Sequence, residues 1–381
     1  MAIEQAVSTH PSIAAAQASA RAAGAELRAV KWQRFPSISV EGLVLNQTGN
    51  QLQAQAVIDQ PLWTGGRISG SVRRASAQSE GAVAAYDEAV LSIASATAQA
   101  FYDVQRWRGR AAILAQSLEQ HQKMVGSMQR RYEQDVSPLS DLELARSRML
   151  QVEQQLLQAK AQEAAASSRV RELVGDPFWA VGALPPMPAK WPTFEDAALT
   201  EQALAFSPAL KRLRFEAQAA SAQASVARAS ILPQLSGQYT YSETFGHRFG
   251  VVLKAQTDGG LSKIAAASAA REKVRASEMQ VAASERQLRD QVFALLREYE
   301  SSTRRLEGSM SAAGSAQRVM ESYMRQFTSG RRTWLDVMNA VREANSAEID
   351  VLEARISAQA SLARLLLLSG QWVPVPVEHK S

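Results

Sequence analysis

The sequence predicts a mainly α-helical protein with a small β part, built from two tandem repeats of one unit. Three observations support this prediction: an internal duplication, a composition that favours helices, and a change of residue period after two prolines. In the duplication, equivalent residues lie 197 positions apart early in each repeat and 195 positions apart later, as for Pro11 and Pro208, Pro36 and Pro233, Asp141 and Asp336, and Gly175 and Gly370. A repeat this long indicates two copies of a whole structural unit rather than a short-period solenoid.

The composition is typical of long helices rather than compact globular domains. Alanine, glutamine, serine, arginine and glutamate dominate the 381 residues, and aromatic residues make up only 6%. The net charge of +5 contains no basic block, which argues against nucleic acid as a partner. Because the chain has no cysteine, disulfides and thiolate metal sites are excluded.

Each repeat begins with an alanine-rich segment that predicts a helix, roughly Ile3–Gln33 in the first copy and Pro208–Ser230 in the second. Pro36 and Pro233 end these helices, because the residue before a proline is disfavoured in the α conformation. After each proline, apolar and polar residues alternate with the period of a β-strand. The strands are predicted at about 37–45 and 51–60, and at about 234–242 and 248–256, so each repeat carries one hairpin. Strands of about ten residues have the length that a tilted strand needs to cross a bilayer.

Two long helices follow each hairpin. The stretches Arg67–Arg131 and Leu261–Gln326 contain no proline, and each is followed by a short break and a returning helix. The returning helices carry an apolar 3-4 spacing, interrupted by Glu163 in the first copy, which predicts left-handed supercoiling against neighbouring helices. The spacing is made by Leu142, Ala145, Met149, Val152, Leu156, Ala159, Ala166, Val170 and Leu173, and by Val337, Ala340, Ala344, Ala347, Val351, Ala354, Ala358, Leu365 and Leu368. These elements divide the chain into a first repeat (1–175), a linker (176–193), a second repeat (194–370) and a tail (371–381).

Two hairpins provide four strands, which are too few to close a barrel. Lipid does not tolerate the open edges of such a sheet, so membrane strands would require several chains to pool their hairpins. The helices are also too long for a compact globule, and a tube of helices capped by a shared barrel satisfies both constraints. The longest apolar run, Leu362–Leu368, is too short to span a bilayer as a helix. The chain opens in an amphipathic pattern without a signal peptide, which indicates either a cytosolic protein or a mature form whose signal has been removed.

The order of these elements, the segment QPLWTGGR (Gln60–Arg67) and above all YMRQFTSGRRTWLDVMNAVREA (Tyr323–Ala344) resemble the TolC family of outer-membrane channel proteins. The resemblance implies a homotrimer with an α-helical periplasmic tunnel and a shared transmembrane β-barrel of roughly twelve strands in the cell outer membrane. It also implies a periplasmic adaptor protein and an inner-membrane ABC or proton-driven transporter as partners. The segment around Trp334 is more similar to type I protein secretion channels than to multidrug efflux channels. Type I protein secretion is therefore the expected function, and multidrug efflux is the alternative.

The resemblance further implies which residues form the periplasmic end of the tunnel. The periplasmic gate would comprise Asp141, Phe327, Arg332, Asp336 and Asn339. The turns that contact the adaptor would comprise Val136, Ser137, Pro138, Gly330, Arg331 and Thr333. The simpler interpretation is that Asp141 and Asp336 stabilise the starts of their helices.

The sequence also departs from relatives at several of its positions. Phe327 stands where some relatives have tyrosine, and Asn339 where some have a second aspartate, so the gate here would carry less negative charge. Ala255 stands where the first hairpin has Pro61. The absence of an N-terminal cysteine favours the branch of the family that carries no lipid anchor.

Two other classes of protein are weighed against the channel. Catalytic motifs are absent, and the histidines at 10, 121, 247 and 379 are scattered, so we expect neither an enzyme nor a bound cofactor or metal. A periplasmic adaptor would have one helical hairpin between small β domains rather than two full repeats. A cytosolic coiled-coil scaffold would share the apolar spacing of the helices but not the amphipathic strands.

Overall fold

The computed structural model describes residues 2–45, 51–242, 246–255 and 261–374. It confirms the predicted fold class: long helices, one small sheet and the same succession of elements twice. The helices are α1 (Ala2–Thr9), α2 (Pro11–Trp32), α3 (Arg67–Glu133), α4 (Leu139–Val174), α5 (Asp196–Phe206), α6 (Pro208–Ala229), α7 (Ser262–Thr328) and α8 (Trp334–Ser369). The strands are β1 (Ser37–Leu45), β2 (Gln51–Trp63), β3 (Gln234–Ser242) and β4 (Gly246–Lys254).

The long helices have the same lengths in both repeats. Helices α3 and α7 each have 67 residues, and α4 and α8 each have 36. At about 1.5 Å per residue, the longer pair would each extend on the order of 100 Å. Among the helices of the described residues, none combines the length and the apolarity that crossing a membrane requires.

The predicted first helix is wrong in one respect, because it is two helices. Helix α1 ends at Thr9 and α2 begins at Pro11, since proline lacks an N–H and disfavours the α conformation of the residue before it. The Thr9 hydroxyl donates to the Val174 carbonyl at 2.8 Å, which fixes the end of α1 against α4. The second repeat has the same break at Ser207, whose hydroxyl caps α6. The short helix α5 has no counterpart among the predicted helices.

The four strands form a single antiparallel sheet in the order β1-β2-β3-β4. Pairing of β2 with β3 joins the two hairpins, so that Ile38, Ile58, Tyr239 and Phe249 lie side by side across the sheet. Strand β2 extends beyond its predicted end to Trp63, with an irregularity in the register after Pro61. Strand β4 begins at Gly246, before its predicted start, and its predicted end at 256 lies outside the described residues.

The sheet is amphipathic. Because successive residues of a strand point to opposite faces, the register assigns the regularly paired residues to one face or the other. The apolar face carries Ile38, Val40, Ala56, Ile58, Tyr239, Tyr241, Phe249, Val251 and Leu253. The other face carries mostly polar residues, among them Ser39, Glu41, Gln55, Asp59, Ser236, Gln238, Thr240, Arg248 and Lys254, together with Val57 and Val252. Ile38 and Val40 are 73% and 74% exposed, so nothing in the described chain covers this part of the apolar face.

The chain divides into two compact units, each of which combines parts of both sequence repeats. One unit comprises Met1–His10, Val90–Phe206 and Arg289–Ser381, and the other comprises Pro11–Ala89 and Ser207–Leu288. The sheet belongs to the second unit, and helices α4 and α8 belong to the first. Most of the predicted apolar spacing of these two helices is buried: Leu142, Ala145, Leu156, Ala159 and Val170 in α4, and Val337, Ala340, Ala344, Ala354, Ala358 and Leu365 in α8.

Glu163, which interrupts the apolar spacing of α4, forms an ion pair with Arg108 of α3 at 3.0 Å. The interruption is therefore a specific polar contact between the two helices. The linker after α4 forms no helix or strand, as its sequence predicts, and side chains of the helices hold its carbonyls. Gln105 donates to Gly182 at 2.8 Å, and Gln359 donates to Pro185 at 3.0 Å.

Candidate functional site

The turn between α3 and α4 begins with a residue in the left-handed conformation. Asp135 has φ of +58° and is the only residue other than glycine with positive φ in the described chain. The N–H of Asp135 donates to the Tyr132 carbonyl at 3.0 Å, and that of Val136 donates to the Arg131 carbonyl at 2.8 Å. This pair of bonds is a Schellman motif, which satisfies carbonyls at the end of α3. The Arg131 side chain also donates to the Ser137 hydroxyl at 3.2 Å, so the turn is held on both sides.

The turn between α7 and α8 has the same hydrogen bonds at equivalent positions. The N–H of Gly330 donates to the Phe327 carbonyl at 3.0 Å, and that of Arg331 donates to the Gln326 carbonyl at 2.9 Å. Gly330 occupies the left-handed position with φ of +72° and has open space around it. The two copies of the repeat therefore share the same backbone hydrogen bonds at these turns, and the two turns are structurally equivalent.

The two turns differ in how the next helix is capped. Thr333 caps α8: its hydroxyl accepts from the Asp336 N–H at 3.3 Å and donates to the Asp336 carboxylate at 2.8 Å. The equivalent residue before α4 is Pro138, which has no side-chain cap, and the Asp141 N–H bonds to its carbonyl at 3.2 Å. Both aspartates lie in the first turn of their helices, where the helix dipole favours a negative charge.

Arg332 is held against the last turns of α7. Its guanidinium carbon lies 4.3 Å from the centroid of the Tyr323 ring, and its Nε donates to Gln326 at 3.3 Å. One guanidinium nitrogen lies 3.7 Å from the Asp336 carboxylate, and both side chains are 39% exposed. Such an exposed pair contributes only about 0.3–0.5 kcal/mol, whereas a helix cap contributes about 1 kcal/mol. In a single chain, the larger local effect of Asp336 is therefore to support the Thr333 cap of α8, through its bond with the Thr333 hydroxyl.

Both turns line one cleft of about 480 Å³. The cleft brings together all six residues predicted to contact the adaptor and four of the five predicted gate residues, namely Asp141, Phe327, Arg332 and Asp336. Asn339 is not among them, because it lies one turn further along α8, where it is exposed and lines a different cavity.

Arg131 and Trp334 also line the cleft and were not among the predicted site residues. The Arg131 guanidinium lies 5.4 Å from the centroid of the Phe327 ring, which connects the end of α3 to the end of α7. Trp334 is buried among apolar residues of all four long helices, including Met128 and Met320. Trp334 follows the second turn directly, which is a sequence signal for an anchor at the start of α8, whereas nothing local in the sequence pairs Arg131 with Phe327.

Across the described residues, few titratable groups have a clearly shifted pKa, and none of these groups lines the cleft. Burial raises the pKa of Asp87, and the nearby charge of Lys211 partly offsets this rise in pKa. Burial also raises the pKa of Tyr299, to about 12. Across the part of the chain that the structure describes, no three histidine, aspartate or glutamate side chains lie close enough together to hold a metal ion.

Comparison with known proteins gives one family and several similar structures. A family model described as outer membrane efflux protein matches residues 2–176 and 199–371. The fold is similar to that of the VceC outer membrane protein of Vibrio cholerae, with a TM-score of 0.82 and 17% identity over 97% of this chain and 95% of that one.

Two further solved structures are similar over almost the whole chain. The Campylobacter jejuni CmeC outer membrane channel gives a TM-score of 0.84 and 13% identity over 97% of this chain and 84% of that one. The open state of the Neisseria gonorrhoeae MtrE outer membrane channel gives a TM-score of 0.78 and 15% identity over 97% of this chain and 88% of that one. No curated protein sequence matches the chain at a significant level.

Proposed function

The chain belongs to the outer membrane efflux protein family, and from this premise we propose that three copies form the exit channel of a tripartite export machine. The protein is located in the outer membrane, with its helical part in the periplasm. In the proposed machine, a periplasmic adaptor and an inner-membrane transporter deliver cargo to the channel.

The amphipathic four-stranded sheet is the observation that carries this proposal. Strands β1 and β4 are the edges of the sheet and expose backbone groups that lipid cannot satisfy. Three copies joined edge to edge would supply roughly twelve strands, enough for a closed barrel. The face with Ile38 and Val40 would then meet lipid, and the face with Ser39 and Glu41 would line the exit.

We propose type I protein secretion as the process, on the resemblance of the segment around Trp334. Multidrug efflux is the second candidate, and the description of the matched family favours it. Deleting the gene distinguishes them: loss of one large protein from the culture medium supports secretion, and increased retention of a fluorescent efflux substrate by the cells supports efflux. If neither changes, the chain is not the exit channel of either machine.

We further propose that the cleft between the two turns is the periplasmic gate. Threefold symmetry would gather Asp141, Asp336 and the less charged Asn339 around a narrow axis, and the repulsion between carboxylates would need a cation to offset it. Arg332 stands beside Asp336 in each chain and would supply that cation. Phe327 would pack against Arg131 at the same level. The adaptor would contact Val136, Ser137, Pro138, Gly330, Arg331 and Thr333, which all line the cleft.

Single-channel recording in planar bilayers tests both the channel and its gate. We expect Arg332→Ser to raise the conductance, because it removes the cation that holds the carboxylates together. Arg331→Ser is the matched control, since Arg331 lines the same cleft without contacting Asp336, and its conductance should equal that of the wild type. Absence of any conductance in the wild type would contradict the channel. Unchanged conductance in Arg332→Ser would mean that the gate lies elsewhere.

A second variant examines the carboxylates themselves. Replacing both Asp141 and Asp336 by alanine should weaken the block of the channel by a trivalent cation added from the periplasmic side, because the cation loses its attracting charges. An unchanged block would leave the two aspartates with no role beyond stabilising the starts of their helices.

A further inference from the structure

A second cavity, of about 240 Å³, lies among α3, α4 and α8 within one compact unit. One part of its wall is apolar and is formed by Leu114, Leu144, Val152, Trp334 and Met338. Trp334 is also a wall of the cleft between the two turns. An occupant of the cavity would therefore touch the side chain that anchors the start of α8.

The wall of the cavity at α3 is a buried polar network. Ser117 and His121 are only 2% and 5% exposed. The Nδ1 atom of His121 lies 2.8 Å from the Ser117 carbonyl oxygen, so Nδ1 carries the proton and Nε2 is the acceptor in the neutral ring. Asn345 of α8 donates to the Ser117 hydroxyl at 2.5 Å. The bond from Asn345 fixes α8 against α3, the bond of His121 orients the ring within α3, and together they make this wall a preorganised polar surface.

Two cationic side chains reach the cavity from opposite helices. Arg148 comes from α4 and donates to Gln151 at 3.0 Å, and Arg342 comes from α8. No aspartate or glutamate is among the residues that line the cavity, and neither guanidinium forms an ion pair with a carboxylate of the described chain. Burial lowers the pKa of His121, and Arg148 lowers it further, so the imidazole is neutral near pH 7. The cavity thus has an excess of positive charge beside an apolar wall.

We propose that this cavity binds an amphipathic organic anion, with its anionic group between Arg148 and Arg342 and its apolar body against Leu114, Val152 and Met338. Guanidinium groups recognise planar carboxylates by paired charge-assisted hydrogen bonds. Arg148 and Arg342 are both exposed, so they would bind the anionic group at the mouth of the cavity. A cavity of this size takes a ligand of roughly ten to fifteen non-hydrogen atoms, below the range of most drug-sized sites. The bound anion bridges α4 and α8 and thereby restrains α8.

Calorimetric titration of the assembled protein in detergent with 2-naphthoate tests the site, with a protein-free detergent titration subtracted. We expect saturable binding of one anion per chain and no saturable binding of neutral 2-naphthamide. Arg148→Gln and Arg342→Gln should each weaken binding by about tenfold, the loss expected for one charge-assisted hydrogen bond. Arg146→Gln is the matched control, because Arg146 lies on α4 near Arg148 but pairs with Glu143 outside the cavity, and it should bind as the wild type.

A variant that fills the cavity provides an independent measurement. Ser346 lines the cavity and is exposed, so Ser346→Trp should abolish binding while leaving the thermal unfolding of the protein unchanged. Absence of saturable binding by the wild type would overturn the proposal. The same result is expected if a second copy of the chain occupies the cavity, and it would overturn the proposal in that case too. Equal affinity in wild type, Arg148→Gln and Arg342→Gln would overturn it as well. The titration does not depend on conductance, so failure here and failure of the proposed channel are distinguishable.

Discussion

At the scale of single residues, burial decides which polar side chains respond to their surroundings. His121 is 5% exposed and beside Arg148, whereas Asp336 and Arg332 are each 39% exposed. Solvent screens the exposed pair, so its contribution within one chain is small. The buried histidine cannot exchange its partners for water, and its protonation is therefore coupled to folding.

This coupling predicts how stability depends on pH. Burial lowers the pKa of His121 in the folded protein below the ordinary value of 6.5, so the unfolded chain binds the proton more readily. The stabilisation is complete above pH 6.5 and is lost as the pH falls from there through the folded pKa. We expect the melting temperature of His121→Gln to fall less between pH 7.5 and pH 5 than that of the wild type.

Thermal melting followed by circular dichroism at the two pH values measures this difference. Gln122→Ala is the control, because Gln122 is exposed next to His121 on α3 and has no titratable group, so its replacement should preserve the wild-type response. Equal responses in wild type and His121→Gln would mean that the buried imidazole does not govern the acid sensitivity of the helices.

At the scale of elements, glycines set how closely the long helices approach. Gly109 of α3 faces Leu352 of α8, and a Cβ atom at Gly109 would lie 2.6 Å from a Leu352 methyl carbon. Gly126 lies on the same helix, and a Cβ atom there would meet only the flexible end of Arg130, at 3.8 Å. Two glycines of α3 thus have opposite roles, one required by packing and the other only tolerated.

Alanine substitutions should therefore change stability in opposite directions. Gly126→Ala should raise the free energy of unfolding by about 0.5–1 kcal/mol, because alanine loses less backbone entropy in a helix. Gly109→Ala should lower it by about 1–3 kcal/mol, because the added methyl group overpacks the contact with Leu352. Urea denaturation of the helical signal measures both. A stabilising Gly109→Ala would show that α3 and α8 are not in close contact at this level.

At the scale of the whole molecule, the sheet is incomplete in one chain. Its order places β1 and β4 at the edges, and the apolar face includes highly exposed residues, with Phe249 at 83%. The unpaired backbone groups of the edges are a liability in water and in lipid alike, whereas the exposed apolar face is a liability in water only. Association of β1 of one chain with β4 of another pairs the edges, and lipid around the resulting barrel would cover the apolar face, as the proposed channel requires.

Cysteine cross-linking tests this association. Because the sequence contains no cysteine, only the introduced cysteines can form disulfides. Val40→Cys in β1 should be combined in turn with Phe249→Cys and Val251→Cys in β4, which lie on the same face of the sheet. At least one pair should give disulfide-linked trimers, because facing residues of paired strands approach within disulfide distance. Val40→Cys alone is the control and should give none. Chains that stay monomeric with both pairs would contradict edge-to-edge assembly.

The sequence by itself determined the features that are local or periodic along the chain. The duplication, the alternating strands, the apolar spacing of α4 and α8 and the irregular linker all depend on neighbouring residues, and the structure contains each of them. The break at Pro11 was also readable, since a proline beyond the first turn of a helix interrupts it, although a single helix was predicted there. Helix α5 was missed because eleven residues give too few turns for an apolar period to be distinct.

Only the tertiary structure decided which distant segments meet. The pairing of β2 with β3, the position of Arg131 over Phe327 and the cavity between α3, α4 and α8 each join residues far apart in the chain. The sequence placed Asp141, Arg332 and Asp336 near two turns, and the fold brought those turns to one cleft while leaving Asn339 outside it. Local patterns fix the period of a helix or strand but not its register against a distant partner. That register depends on side-chain packing between elements, which no single segment encodes.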